Sequence, residues 1–97
     1  MAQEDKFAKG VMRIAATQQN GICTFKRAYA EMSNYVSLSA GNLALSTTRP
    51  GEPMWHQIVR NIKSHDSSYT NFIAAGLLVH IPRVGYRITD KGRRSLT

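Results

Sequence analysis

Near the C-terminal end, two short apolar stretches, LLVHI at 77–81 and GYRIT at 85–89, are separated only by Pro82, Arg83 and Val84. Alternating β-formers around turn residues predict a β-hairpin. No other feature constrains the chain as much, because a two-stranded ribbon is marginal in water and must lay one face against something else. The sequence ahead of it is patterned for helices, so the expected fold is mainly α with a small β-hairpin, an α+β class. In the hairpin, Val79 and Ile81 are expected to face inward, with Tyr86 and Ile88 as further inward candidates. Arg83 is then left at the turn, and Arg87 points outward.

The helical pattern begins at 4–18, where Phe7, Val11 and Ile14 share one stripe with Ala15 beside it, and Lys6, Lys9 and Arg13 lie elsewhere. Asn20-Gly21 signals a turn, and Ile22-Cys23 a short extended piece. Thr24 can cap a second helix reaching about residue 35, with Ala28, Met32 and either Phe25 or Tyr29 facing inward. Residues 38–45 are ambiguous: Ser39 can cap a short helix, but Gly41 and Asn42 argue against a long one. The stretch STTRPGEP at 46–53 reads as a loop, and Pro53 fits the first turn of the next helix. That helix, from 54 to about 64, spaces Trp55, Ile58, Val59 and Ile62 at three and four, the strongest helical pattern in the chain. His65-Asp66 breaks it. Asp66 or Ser67 can cap a further helix through Tyr69, Phe72 and Ile73, which Gly76 terminates. Asp90 can cap a last helical turn after the hairpin.

The resulting order is helix, short strand, helix, loop, helix, turn, helix, strand, turn, strand. Two helices joined by a tight turn and followed by a hairpin describe a winged helix-turn-helix. A length of 97 residues predicts one such domain spanning 1–97, with the helix-turn-helix at about 53–76 and the wing at about 77–89.

The net charge is +7, and it is unevenly distributed. Residues 1–52 carry a net +2 and residues 53–97 a net +5, so the second half is expected to supply the working face. Residues 67–76, SSYTNFIAAG, lack charge and open with Ser67, Ser68, Thr70 and Asn71, short hydrogen-bonding groups suited to the floor of a DNA groove. Tyr69 could stack or touch phosphate beside them. Arg83, Arg87, Lys91, Arg93 and Arg94 are concentrated on and after the hairpin, where guanidinium groups suit phosphate clamping or a narrow minor groove. Arg60 and Lys63, expected on the exposed side of the 54–64 helix, would add phosphate contacts without sequence information.

Catalysis has no visible constellation. Glu4, Asp5, Glu31, Glu52, Asp66 and Asp90 are scattered, and His56, His65 and His80 lack the spacing of a zinc site. There is no glycine-rich phosphate loop, and the single Cys23 reads as a small buried core residue. The expectation is therefore no enzyme, no metal and no cofactor. No apolar run is long enough to span a bilayer, and the start MAQEDKFAKG lacks signal-peptide layout, which predicts a cytoplasmic, intracellular protein without membrane contact. The ending GRRSLT allows a longer parent chain.

Two segments, RPGEPMWHQIVRN and NFIAAGLLVHIPRVGYRITDKGRRSL, carry a Trp-led helix, a Gly-Leu-Leu entry to the hairpin and an aromatic-x-Ile-Thr-x-x-Gly exit. In this pattern the chain resembles the N-terminal winged-helix domain of Mrr-type restriction endonucleases and related modules that accompany HNH-type nucleases. Here SHDSS interrupts the helix between the Trp and the Gly-Leu-Leu, which leaves open which helix reads the groove. The resemblance implies an accessory domain that reads double-stranded DNA for a restriction-type or DNA-defence system, with cleavage supplied by a nuclease domain on the parent chain or a partner. Two alternatives remain beside it. One is a winged helix used for protein–protein contact. The other is a small transcriptional regulator that homodimerises through the apolar stripe of the first helix.

Overall fold

The computed structural model describes residues 2–45, 51–62 and 72–96. Expectations that fall on Lys63, His65, Asp66, Ser67, Ser68, Tyr69, Thr70 and Asn71, or on residues 46–50 of the loop, lie outside them. The described residues form a compact α+β structure of five α-helices and a small three-stranded antiparallel sheet. In chain order these are α1 (Ala2–Ala16), β1 (Ile22–Thr24), α2 (Phe25–Glu31), α3 (Ala40–Leu43), α4 (Met54–Asn61), β2 (Leu78–Ile81), β3 (Gly85–Ile88) and α5 (Asp90–Ser95). A single tighter turn, Met32–Asn34, extends α2 towards Tyr35. Among the described residues, no helix is long and apolar enough to cross a membrane.

The first helix forms where its stripe requires it, and Phe7, Val11, Ile14 and Ala15 are buried together with Ala8 and Met12. This face packs on Trp55, Val59 and Ile62 of the α4 segment, and the Phe7 and Trp55 rings stack with centroids 5.7 Å apart. The apolar stripe of α1 is thus covered within its own chain. Thr24 caps α2 as its residue type suggests, its hydroxyl accepting from the Arg27 N–H at 3.1 Å. Both inward candidates on α2 are half-buried: Phe25 meets Tyr86 edge-on and Tyr29 meets Trp55 edge-on. Ser39 and Asn42 form a reciprocal capping box on α3. Pro53 sits one position earlier than expected, as the N-cap of α4 rather than inside its first turn.

In the sheet the order is β1-β3-β2, so the central strand is the last to be made. Leu78 faces Ile88, His80 faces Tyr86, and Cys23 faces Tyr86 from the other side. Leu78, Tyr86, Ile88 and Cys23 are buried, whereas Val79, opposite Arg87, is exposed. The expected inward facing of Val79 and Ile81 is therefore shifted by one residue. Five consecutive β-formers offer two alternation frames, and pairing with β3 selects the one that buries Leu78. Asp90 likewise yields its expected capping role to Thr89, whose hydroxyl accepts from the Gly92 N–H at 3.0 Å. Asp90 instead occupies the first position of α5, where its charge favours the helix N-terminus.

Candidate nucleic-acid interface

The hairpin is anchored by its base. The Tyr86 hydroxyl, buried with the rest of its side chain, donates to the Val59 carbonyl at 2.6 Å and so ties β3 to α4. Thr89 donates its hydroxyl to the Gly76 carbonyl at 2.6 Å, while its own N–H reaches the Leu77 carbonyl. The described part of the helix expected through Phe72 and Ile73 is a turn: Gly76 N–H bonds the Ile73 carbonyl and Leu77 N–H the Phe72 carbonyl, with Gly76 at φ 80°. Gly92 is packed so tightly that a β-carbon there would collide with the Leu77 carbonyl. The Gly-Leu-Leu entry and the Ile-Thr-x-x-Gly exit are thus two sides of one contact.

From this base the hairpin raises its tip. Pro82, Arg83 and Val84 connect the paired residues Ile81 and Gly85, and Val84 N–H closes a turn on the Ile81 carbonyl at 3.0 Å. Arg83 occupies its third position at φ 65°, the only non-glycine residue with positive φ among those described. A proline followed by positive φ defines a type II turn, whose third position is ordinarily glycine or asparagine. The Arg83 side chain is exposed at the tip, and Arg87 stands on the outer face of the sheet between Ile22 and Val79.

The other expected contacts divide. Arg60 is not on an open helix face as expected. Its guanidinium pairs with Glu52 at 2.6 Å, donates to the Tyr29 hydroxyl at 3.3 Å, and keeps only 20% of its side-chain exposure. The Glu52 hydrogen bond holds its already high pKa higher still. Glu52 stands just before the extended N-cap Pro53, and its carboxylate reaches along α4 to Arg60. Lys91 donates to the Ala75 carbonyl at 2.7 Å, and Arg93 reaches the Ala16 carbonyl at 3.5 Å. Arg93 thus stands at the C-terminal end of α1, where positive charge is favoured, and Lys91 at the 72–76 turn. Arg94 is exposed on α5, the helix that carries both.

One cation was hidden from sequence reasoning. The Phe25 N–H donates to the Val84 carbonyl at 2.9 Å, which sets the start of α2 against the hairpin turn and brings the exposed Lys26 into its neighbourhood. The signal was the extended Ile22-Cys23 piece just ahead of a capped helix, once it is paired with β3. Arg27, next along, is engaged by Glu31. Cys23 is buried as expected, and burial, with Glu31 nearby, pushes its thiol up to about 12, leaving it protonated at neutral pH. Among the described residues no three His, Cys, Asp or Glu side chains are gathered in a way that could hold a metal.

The comparisons add no relative. No protein-family model, no curated protein and no solved structure matches this chain.

Proposed function

We propose that the chain is a winged helix-turn-helix domain that binds double-stranded DNA, with the β2–β3 hairpin as its wing. The observation that carries this reading is Arg83 held at φ 65° on the hairpin tip. A left-handed conformation costs a non-glycine residue roughly 1–2 kcal/mol, and glycine would remove that cost. An arginine in such a place is there for its guanidinium, and an exposed guanidinium on a projecting turn fits phosphate oxygens or a minor groove. Arg87 on the outer sheet face and Lys26 beside the turn extend the same positive edge. The sheet order β1-β3-β2 and the helices that precede it suit the winged architecture. A place as the DNA-reading accessory module of a restriction-type system rests on the resemblance of the Trp-led helix, Gly-Leu-Leu and Ile-Thr-x-x-Gly segments alone.

A second reading has its own observation. Val79 and Val84 are each 38% exposed, close to Arg87 and Arg83. A wing carrying both apolar and cationic side chains also suits a protein partner.

Fluorescence anisotropy on a duplex of about two helical turns separates them. Binding should weaken steeply with salt, and Arg83→Ala/Arg87→Ala should lower both affinity and the magnitude of the salt slope, the latter by about 2. Absence of duplex binding even at low salt would leave the protein-contact reading standing.

A further inference from the structure

Away from the hairpin, α1 and the segment after α2 flank an open groove of about 650 Å³. Its wall on α1 is Lys6, Lys9 and Arg13, one stripe of the helix, with Asp5 at its edge. Opposite stand Tyr35, Ser37 and Phe72. Three of the six Lys and Arg residues in the first half of the sequence therefore line one concavity. Lys6 is partly engaged, donating to Asn42 Oδ1 at 3.4 Å, while Lys9 and Arg13 are exposed. The Tyr35 side chain is exposed at the rim, a large aromatic without a core role.

The volume lies within the roughly 300–1,000 Å³ of small-molecule sites. The groove is separated from the hairpin tip by α2 and the turn after it, which run from Phe25, bonded at the tip, to Tyr35 at the groove. The chemistry selects further. Two exposed cations call for phosphate, an aromatic rim calls for a planar ring, and Asp5 with Ser37 offers partners to hydroxyl or amino groups.

We propose that this groove is a nucleotide-binding site, with phosphates on Lys9 and Arg13 and the base against Tyr35. The site is independent of the duplex-binding reading, and either can fail alone.

The test is an amide NMR titration of the full chain with ATP, adenosine and pyrophosphate, repeated on Lys9→Gln/Arg13→Gln, Tyr35→Leu and Arg83→Ala/Arg87→Ala. ATP should move the amides of residues 5–13 and 35–37. Loss of the two α1 cations should weaken binding about tenfold or more, and Tyr35→Leu should bring ATP affinity down to that of pyrophosphate. Adenosine should bind far more weakly than ATP, and the hairpin variant should bind ATP as well as the parent. The proposal is overturned if ATP shifts only hairpin amides, or if the α1 variant binds it unchanged. Equal affinity of the parent for pyrophosphate and ATP would overturn the base contact and with it the nucleotide assignment.

Discussion

The two ends of the hairpin are built on opposite terms. At its base, Tyr86, Ile88, Thr89 and Gly92 are buried or hydrogen-bonded into α4 and the 72–77 turn, and nearly every group has a defined partner. At its tip, Arg83 holds an unfavourable backbone conformation with its side chain in solvent, next to exposed Val84. The base is what packing chooses when left to itself. The tip is something the base permits, since a strained residue persists only where its surroundings determine it. Stability and binding should therefore separate along a hairpin of barely a dozen residues.

The strongest way to break this comparison is at Gly92. In a helix, glycine to alanine normally stabilises by about 1 kcal/mol. Here the new methyl would be driven into the Leu77 carbonyl and the Ile88 side chain, so Gly92→Ala should invert that sign and destabilise by about 2 kcal/mol. Urea denaturation decides it. A stabilised variant would mean that the base is looser than described.

Next in size is Tyr86→Phe. The ring would still fill the core against Phe25, but the Val59 carbonyl would lose its hydroxyl donor. A loss of about 1 kcal/mol is expected, read from the same denaturation curves, with duplex binding unchanged once the folded fraction is equal. A change in duplex affinity beyond that would show that the base takes part in binding.

The tip should respond in the opposite direction. Arg83→Gly relieves the left-handed strain at φ 65° but gives the unfolded chain more freedom, so a net gain of about 0.5 kcal/mol is expected. Duplex affinity should fall in the same protein. Greater stability with weaker binding would sharpen the comparison into a trade between the two. If affinity held, the tip would have no part in DNA contact.

Much of the base was legible in the sequence, and the reasons are local. Thr24 carries its capping role in its side chain, and Trp55, Val59 and Ile62 announce a buried face by spacing alone. The positions of Arg83 and Arg87 followed from the turn. What escaped depended on contacts distant along the chain. Both Thr89 and Asp90 are good caps, and the choice of Thr89 goes with a hydroxyl that also bonds Gly76, 13 positions away. Val79 faces out because β3 pairs as it does, and LLVHI gives no internal hint of the frame. Arg60 reads as a surface cation until Glu52 pairs with it, and the α1 groove exists only where Tyr35 and Phe72 come to face Lys9.

The smallest expected effect extends the comparison to α4, the helix that Tyr86 holds. His56 stacks on Tyr29 with ring centroids 3.9 Å apart, and partial burial, aided by the Arg60 charge and opposed by Glu52, lowers its pKa below the usual 6.5. The unfolded chain then binds the proton more readily than the folded one, so this contribution to stability is complete above about pH 6.5 and declines as pH falls through the depressed folded value. His56→Phe keeps an aromatic ring on Tyr29 and removes the titration. Urea midpoints should therefore fall less steeply between pH 7 and 5 in His56→Phe than in the parent. The anisotropy signal for duplex at pH 7 should be the same in both, because the neutral imidazole lies on the anchored side and away from the tip. An unchanged pH slope would place the acid sensitivity elsewhere, and a changed duplex affinity would extend the binding surface from the wing to α4.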